Sequence, residues 1–243
     1  MINVDFRYIP SLLLYNGELY KTTKFKSPKY VGDPINTIKI FNDKNVDELI
    51  VLNIDRGNEI DFEVLENMAS EAFFPLSYGG GVKSVQQARQ IFRLGFEKIV
   101  INTEFLRRPE FLKELIEIFG AQSIVVSLDF HKNIFGNYKL FNKSLKKLSS
   151  LDDYLLTLQN NPPAEIVVTS VNNEGTYGGY DLKLLESINF SRINSKILIN
   201  GGCSGYDEMR SLEKCELVDS AVAGNIFIYK RPHNAVLINY IER

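Results

Sequence analysis

With 243 residues, 44% apolar and 24% charged side chains and a formal net charge of −2, the chain is long enough for one sizeable domain but lacks the global basic charge that holds nucleic acid. No apolar run approaches the roughly 18 residues of a membrane span, and the stretch from Met1 to Arg7 carries Asp5 without an apolar core, so neither a span nor a secretory leader is expected. Cys203 and Cys215 lie too close together for zinc chemistry of their own and have no adjacent His; a reduced, cytoplasmic setting with no metal and no cofactor is expected.

In chain order, short runs rich in Val, Ile and Leu predict buried parallel strands over Tyr8–Leu14, Glu48–Asn53, Pro75–Tyr78, Lys98–Ile101, Ile124–Asp129, Glu165–Thr169, Lys196–Ile199 and Ser220–Ala223. Amphipathic stretches lie between them. Ser84–Leu94 sets Val85, Ala88, Ile91 and Phe92 on one face, with Ser84 and Gln87 spaced as a capping box. Glu110–Phe119 follows Pro109, and Leu151–Gln159 is a further helix. Eight strands each followed by a helix predict a single (β/α)8 barrel over residues 1–243, with a doubly wound open sheet as the alternative. Two connections exceed what chain closure needs. Tyr15–Asp33 holds Lys21, Lys24, Lys26 and Lys29 among aromatics, and residues 131–146 read as a hairpin through Phe135-Gly136-Asn137. Loops after barrel strands sit at the catalytic face, so both are expected to be lids or contact surfaces.

A near-repeat divides the chain. Tyr8–Leu14 is echoed by Ile124–Phe130, Glu48–Val51 by Glu165–Val168, Ser77–Gly81 by Ile199–Cys203, and Val100–Thr103 by Val222–Asn225, at offsets of 116 to 122. Four matches in one order predict two homologous half-barrels, about 1–120 and 121–243. The copies differ at a decisive place: Leu13 stands where the second copy has Asp129. A carboxylate can move a proton; a leucine cannot.

Glycine marks the candidate binding chemistry. Gly79-Gly80-Gly81 after strand three precedes a helix whose first N–H groups are free, and Asn102-Thr103 after strand four can add donors to the same anion. The second half supplies Gly175-Thr176, Gly201-Gly202 and Gly224-Asn225, the last two after strands seven and eight, where barrels commonly hold phosphate. Two such sets suggest a small molecule with phosphates at both ends.

These residues resemble the cyclase subunit of imidazole glycerol phosphate synthase, the HisF family, along nearly the whole chain. Arg7-Tyr8-Ile9-Pro10, Gly32-Asp33-Pro34, Asp47-Glu48-Leu49, Gly79-Gly80-Gly81, Ile101-Asn102-Thr103, Thr169-Ser170 with Gly175 and Gly179-Tyr180-Asp181, and Gly201-Gly202 match in order and spacing. The resemblance implies a lyase barrel that binds a bisphosphorylated ribonucleotide. It also implies a glutaminase subunit docked at the N-terminal barrel face, whose ammonia passes through the core to close an imidazole ring in histidine biosynthesis. It assigns phosphate binding to Gly81, Asn102, Thr103, Gly175, Gly202, Gly224 and Asn225, a mobile-loop lysine to Lys21, and an ammonia gate to Arg7, Glu48, Lys98 and Glu165. Of the family's two catalytic aspartates it retains Asp129; the other position is Leu13. Asn53 also replaces an acidic residue, with Asp55 close by, and Glu174 replaces an aspartate.

The chain further resembles a subgroup of HisF-like proteins linked to surface-polysaccharide synthesis, including lipopolysaccharide, which share that leucine and a segment like Lys21–Pro34. That subgroup implies delivery of ammonia to a separate ATP-dependent sugar amidotransferase, with weak or absent cyclase activity. A genuine cyclase compensated by Asp129 or Asp55, and a non-catalytic scaffold that activates a glutaminase, are the competing expectations.

Overall fold

A computed structural model describes residues 6–55 and 59–241. The expectation drawn from Met1 to Asp5 lies outside the described residues.

Among them, eight parallel strands close into a barrel: β1 (Arg7–Tyr15), β2 (Leu49–Asn53), β3 (Leu76–Gly79), β4 (Lys98–Ile101), β5 (Ile124–Lys132), β6 (Glu165–Ser170), β7 (Lys196–Asn200) and β8 (Ser220–Ala223). Each pairs with its successor, and β8 pairs back onto β1. Arg7–Pro10 match Ser220–Ala223, whereas Ser11–Leu14 match Ile50–Asn53. This offset along one strand is the stagger that lets tilted strands close a barrel. The fold is therefore the (β/α)8 barrel and not the open sheet.

Side-chain alternation sorts each strand between two cores. In β1, Tyr8, Leu12 and Leu14 point outward to the helices, while Ile9 joins Ile50, Val100, Val125, Val167, Leu198 and Val222 inside. None of these seven interior residues is more than 5% exposed. They form an apolar layer across the middle of the barrel, with polar residues of the same strands at either end.

Helices Pro34–Asp43, Phe62–Glu71, Val85–Arg93 and Leu151–Asn160 each begin at a side-chain cap, from Asp33, Asp61, Ser84 and Ser150 respectively. The expected Ser84–Gln87 box forms only by half. Ser84 Oγ accepts the Gln87 N–H (3.2 Å), but Gln87 Oε1 accepts from Lys83 N–H (2.8 Å), one residue before the cap. A reciprocal box occurs instead at Ser150 and Asp153. Glu110–Phe119 is helical as predicted.

The last unit departs from strict alternation. After β8 the helix is a single turn, Asn225–Ile228, followed by the antiparallel pair Tyr229–Lys230 and Ala235–Val236. The chain then returns toward the start of β1, where Tyr240 stacks on Phe227 (5.5 Å) and donates its hydroxyl to the Tyr8 carbonyl (2.6 Å). Extended backbone thus covers the seam between β8 and β1.

Both long connections are antiparallel hairpins that extend barrel strands above the C-terminal rim. β1 turns at Asn16-Gly17, both at positive φ as a two-residue hairpin turn requires, into Glu18–Thr23 and then Lys26–Gly32. β5 runs on to Lys132 and turns back as Tyr138–Leu140, in accord with the predicted hairpin.

Candidate functional site

The C-terminal ends of the strands enclose a cavity of about 570 Å³. Its lining includes Leu13, Lys21, Gly81, Asn102, Thr103, Asp129, Glu174 and Gly224, so the structure brings the retained aspartate together with the first glycine set and the loop lysine. Leu13 takes its place in that wall because β1 alternates Ile9, Ser11 and Leu13 toward the interior. The wall there offers methyl groups where a carboxylate could have moved a proton.

Asp129 reaches the cavity from β5. It is half-buried at the cavity wall, and the desolvation by the protein packed around it raises its carboxyl from 3.8 to about 7. Hydrogen bonds from Thr169 and Asn102 (Nδ2 to Oδ2, 2.9 Å) oppose the rise, and the charge of Glu174 adds to it. A carboxyl that titrates near neutrality is suited to giving or taking a proton.

Asn142, on the second hairpin, has a role that sequence reasoning missed. Its amide donates to Asn102 Oδ1 and to Thr103 Oγ1, each at 2.9 Å, and its own oxygen accepts from the N–H groups of Ser144 and Leu145. The hairpin therefore orients Asn102 so that its amide faces Asp129. Only a contact across forty residues reveals this, and a lone Asn in a polar loop gave no signal.

Glu174 ties the first hairpin down. Buried at 5% exposure, it pairs with Lys21 Nζ (2.5 Å) and accepts from Phe25 N–H (3.0 Å), while its carbonyl accepts from Lys24 N–H (3.0 Å). Lys24 and Phe25 sit at φ +52° and +58°, a region non-glycine residues avoid, and these bonds hold the tip there.

The same ion pair separates the large cavity from the second glycine set. Gly175, Gly202, Gly224 and Asn225 converge on a space of about 20 Å³, which admits water but not a phosphate. A Cβ on Gly224 would lie 2.6 Å from Lys21 Cε, so the lysine stem rests directly on that glycine. Asn225 Nδ2 also donates to the Gly175 carbonyl (3.0 Å). Lys21 thus fills the side of this space that faces the large cavity.

At the opposite end of the barrel, Arg7, Glu48, Lys98 and Glu165 form a closed ring. Arg7 reaches Glu48 at 2.5 Å and Glu165 at 2.6 Å, and Lys98 reaches the same two at 2.8 and 2.9 Å. Ser77 Oγ adds a bond to Glu48 (2.8 Å). Burial alone would raise the Glu165 carboxyl, but Lys98 and Arg7 outweigh it and hold it below the usual carboxylate value. Burial works to lower Arg7, and the two glutamates overcome it.

Among the described residues no group of three or more His, Cys, Asp or Glu is placed to hold a metal ion, and no helix is long and apolar enough to cross a membrane.

Fold and site together define a (β/α)8 barrel with a cavity of mixed polar and apolar lining at the C-terminal ends of its strands, where such barrels carry their chemistry. Residues 7–233 match the family described as Histidine biosynthesis protein, and the chain belongs to it. It is similar to a protein of Vibrio vulnificus (strain YJ016) provisionally named imidazole glycerol phosphate synthase subunit hisF3, with 39% identity over 240 residues, covering 96% of this chain and 92% of the relative. A protein of Pseudomonas aeruginosa provisionally named imidazole glycerol phosphate synthase subunit hisF2 is also 39% identical over 240 residues, covering 96% of this chain and 95% of the relative. The imidazole glycerol phosphate synthase subunit HisF of Methanococcus maripaludis (strain C7) is 34% identical over 251 residues, covering 92% and 91%.

Proposed function

We propose that this HisF relative receives ammonia from a glutaminase subunit at the N-terminal face and delivers it through the barrel for amidation of a surface-polysaccharide sugar, rather than closing an imidazole ring. The observation that carries this reading is Leu13 in the cavity wall, in a barrel that keeps the four-charge ring at its other mouth. A glutaminase can supply ammonia there, and an apolar interior favours neutral ammonia over ammonium, because a bare cation in such a layer would lose its hydration. One half of an acid–base pair is absent, and a positioned acid or base is worth about 10²–10⁴-fold in rate.

Asp129, raised to about 7, and the glycine cup at Gly81, Asn102 and Thr103 favour a second reading, a slow cyclase that still binds a phosphorylated ligand. Ammonium salts and the bisphosphorylated ribonucleotide separate the two readings without any partner protein. The delivery reading expects near-background formation of imidazole glycerol phosphate; turnover at the rate of a histidine-pathway HisF overturns it.

The two-half-barrel organisation belongs to the same proposal. It is supported by Gly80 and Gly81 at φ +102° and +77° after β3, and Gly201 and Gly202 at φ +91° and +104° after β7. Equivalent strands end in equivalent turns, which only glycine tolerates there: a Cβ on Gly80 would meet the Asn53 carbonyl at 2.2 Å, and one on Gly201 the Ser170 carbonyl at 2.7 Å.

A further inference from the structure

The two hairpins that frame the cavity carry charge of one sign. Between Glu18 and Asp33 the first holds four lysines and no carboxylate; between Asp129 and Asp152 the second holds five lysines and again no carboxylate. All but Lys21 and Lys132 of these are exposed. The hairpins meet over the mouth, where Phe25 lies against Phe141 (6.5 Å) and Lys143 donates to the Phe25 carbonyl, so the rim is one continuous basic patch. Lys139, Lys146 and Lys147 form no salt bridge among the described residues.

At the tip of the second hairpin, Asn133 Oδ1 accepts from the N–H groups of Phe135 (2.9 Å) and Asn137 (3.0 Å), and Gly136 closes the turn at φ +85°. This locked turn presents Ile134 and Phe135 at 94% and 82% exposure. Two large apolar side chains held rigidly in water among lysines do nothing for the packing of this chain, whereas preorganised apolar groups inside a charged rim are what a protein interface needs.

We propose that this rim docks an acidic face of the enzyme that consumes the delivered ammonia, with Ile134 and Phe135 seated in an apolar recess of that partner. The occupant is argued from charge complementarity and from position, since the two lysine-bearing hairpins meet over the mouth through which ammonia leaves; it rests on the delivery reading above. Two side chains are too little apolar area to anchor the chain in a bilayer unaided.

The test reconstitutes glutamine-driven sugar amidation from the full chain, its glutaminase and the ATP-dependent sugar amidotransferase, with the affinity for the amidotransferase measured at low salt and at about 0.15 M. Ile134→Ser with Phe135→Ser is expected to weaken that affinity about tenfold or more. Lys139→Glu, Lys146→Glu and Lys147→Glu together are expected to slow association and flatten its salt dependence, with Arg at all three positions restoring both. Amidation driven by ammonium salts stays unchanged throughout, and thermal melts matching wild type show that each variant folds. Wild-type affinity in both sets of variants overturns the docking surface while leaving delivery intact. A wild-type mixture that amidates with ammonium but not with glutamine overturns delivery, and the proposed occupant with it. Binding of phosphatidylserine vesicles or single-stranded DNA that falls in step with the same variants at about 0.15 M salt overturns the protein partner in favour of that polyanion.

Discussion

The two mouths of this barrel handle charge in opposite ways. At the N-terminal mouth, two cations and two carboxylates lie within 2.5–2.9 Å of one another, and each glutamate is held by both cations. At the C-terminal mouth, Asp129 is met by amide and hydroxyl donors, and its carboxyl rises to about 7. The lysines nearby are tied up with Glu174 or turned out to solvent. The contrast teaches that burial alone does not set the behaviour of a carboxylate. A paired one is fixed and ionised, while one met only by neutral donors is left ready to titrate.

Breaking the N-terminal ring gives the largest expected effect. Lys98→Ala leaves Glu48 and Glu165 sharing one arginine, and removal of one partner from a buried ion-pair network costs about 3–5 kcal/mol, readable as a lower urea midpoint at pH 7. Because Glu165 is held below its ordinary value, the ring's contribution is present above the unfolded carboxyl value of about 4.5 and is lost as pH falls through the lower folded value. The deficit of the Lys98 variant is therefore expected to shrink in acid.

Restoring the missing group at the C-terminal mouth comes next. Leu13→Asp is expected to raise ammonium-driven ring closure about a hundredfold over wild type, followed by product formation from the ribonucleotide. No gain, with ligand binding retained, would mean that the cavity has changed in more than this residue.

Asp129→Asn tests the titrating carboxyl. Its folded value lies above the unfolded one, so the cost of ionising it is absent below about pH 4, grows as pH rises and is complete above about pH 7. The variant is expected to gain about 2 kcal/mol of stability at pH 8, discounted from the full shift because Asp129 faces the cavity, and little at pH 4. Paired denaturant titrations at the two pH values check the sign.

Asn142→Ala gives the smallest change. Asn102 loses its orientation, the donor that lowers Asp129 weakens, and the titration of Asp129 shifts upward by less than about one unit. Carboxyl carbon chemical shifts followed through neutral pH measure it; a downward shift would show that Asn142 holds Asn102 in a less favourable pose.

Much of this was legible in the chain because local chemistry decides it. Val- and Ile-rich runs at regular spacing set the eight strands, and glycine pairs after strands three and seven marked turns no other residue can make. The contrast of Leu13 with Asp129 needed only two aligned segments. Asn16-Gly17 is an equally plain hairpin signal, but the strands on either side of it are fixed by pairing across the turn, which the Lys- and Tyr-rich composition of Tyr15–Asp33 does not encode. The single turn after β8 was not legible, because a short apolar run such as Ile226–Ile228 reads equally well as the start of a longer helix.

The sequence by itself determined the order of strands and helices, the glycine turns and the absence of a carboxylate at position 13, since these depend on neighbours within a few residues. Only the tertiary structure decided that Arg7, Glu48, Lys98 and Glu165 close into one ring, that Asn142 orients Asn102 beside Asp129, and that Glu174 draws Lys21 across the second glycine cup. Those contacts join residues 27 to 158 positions apart. Their energies come from desolvation and from charge at a few ångströms, which chain closure creates and local sequence does not encode.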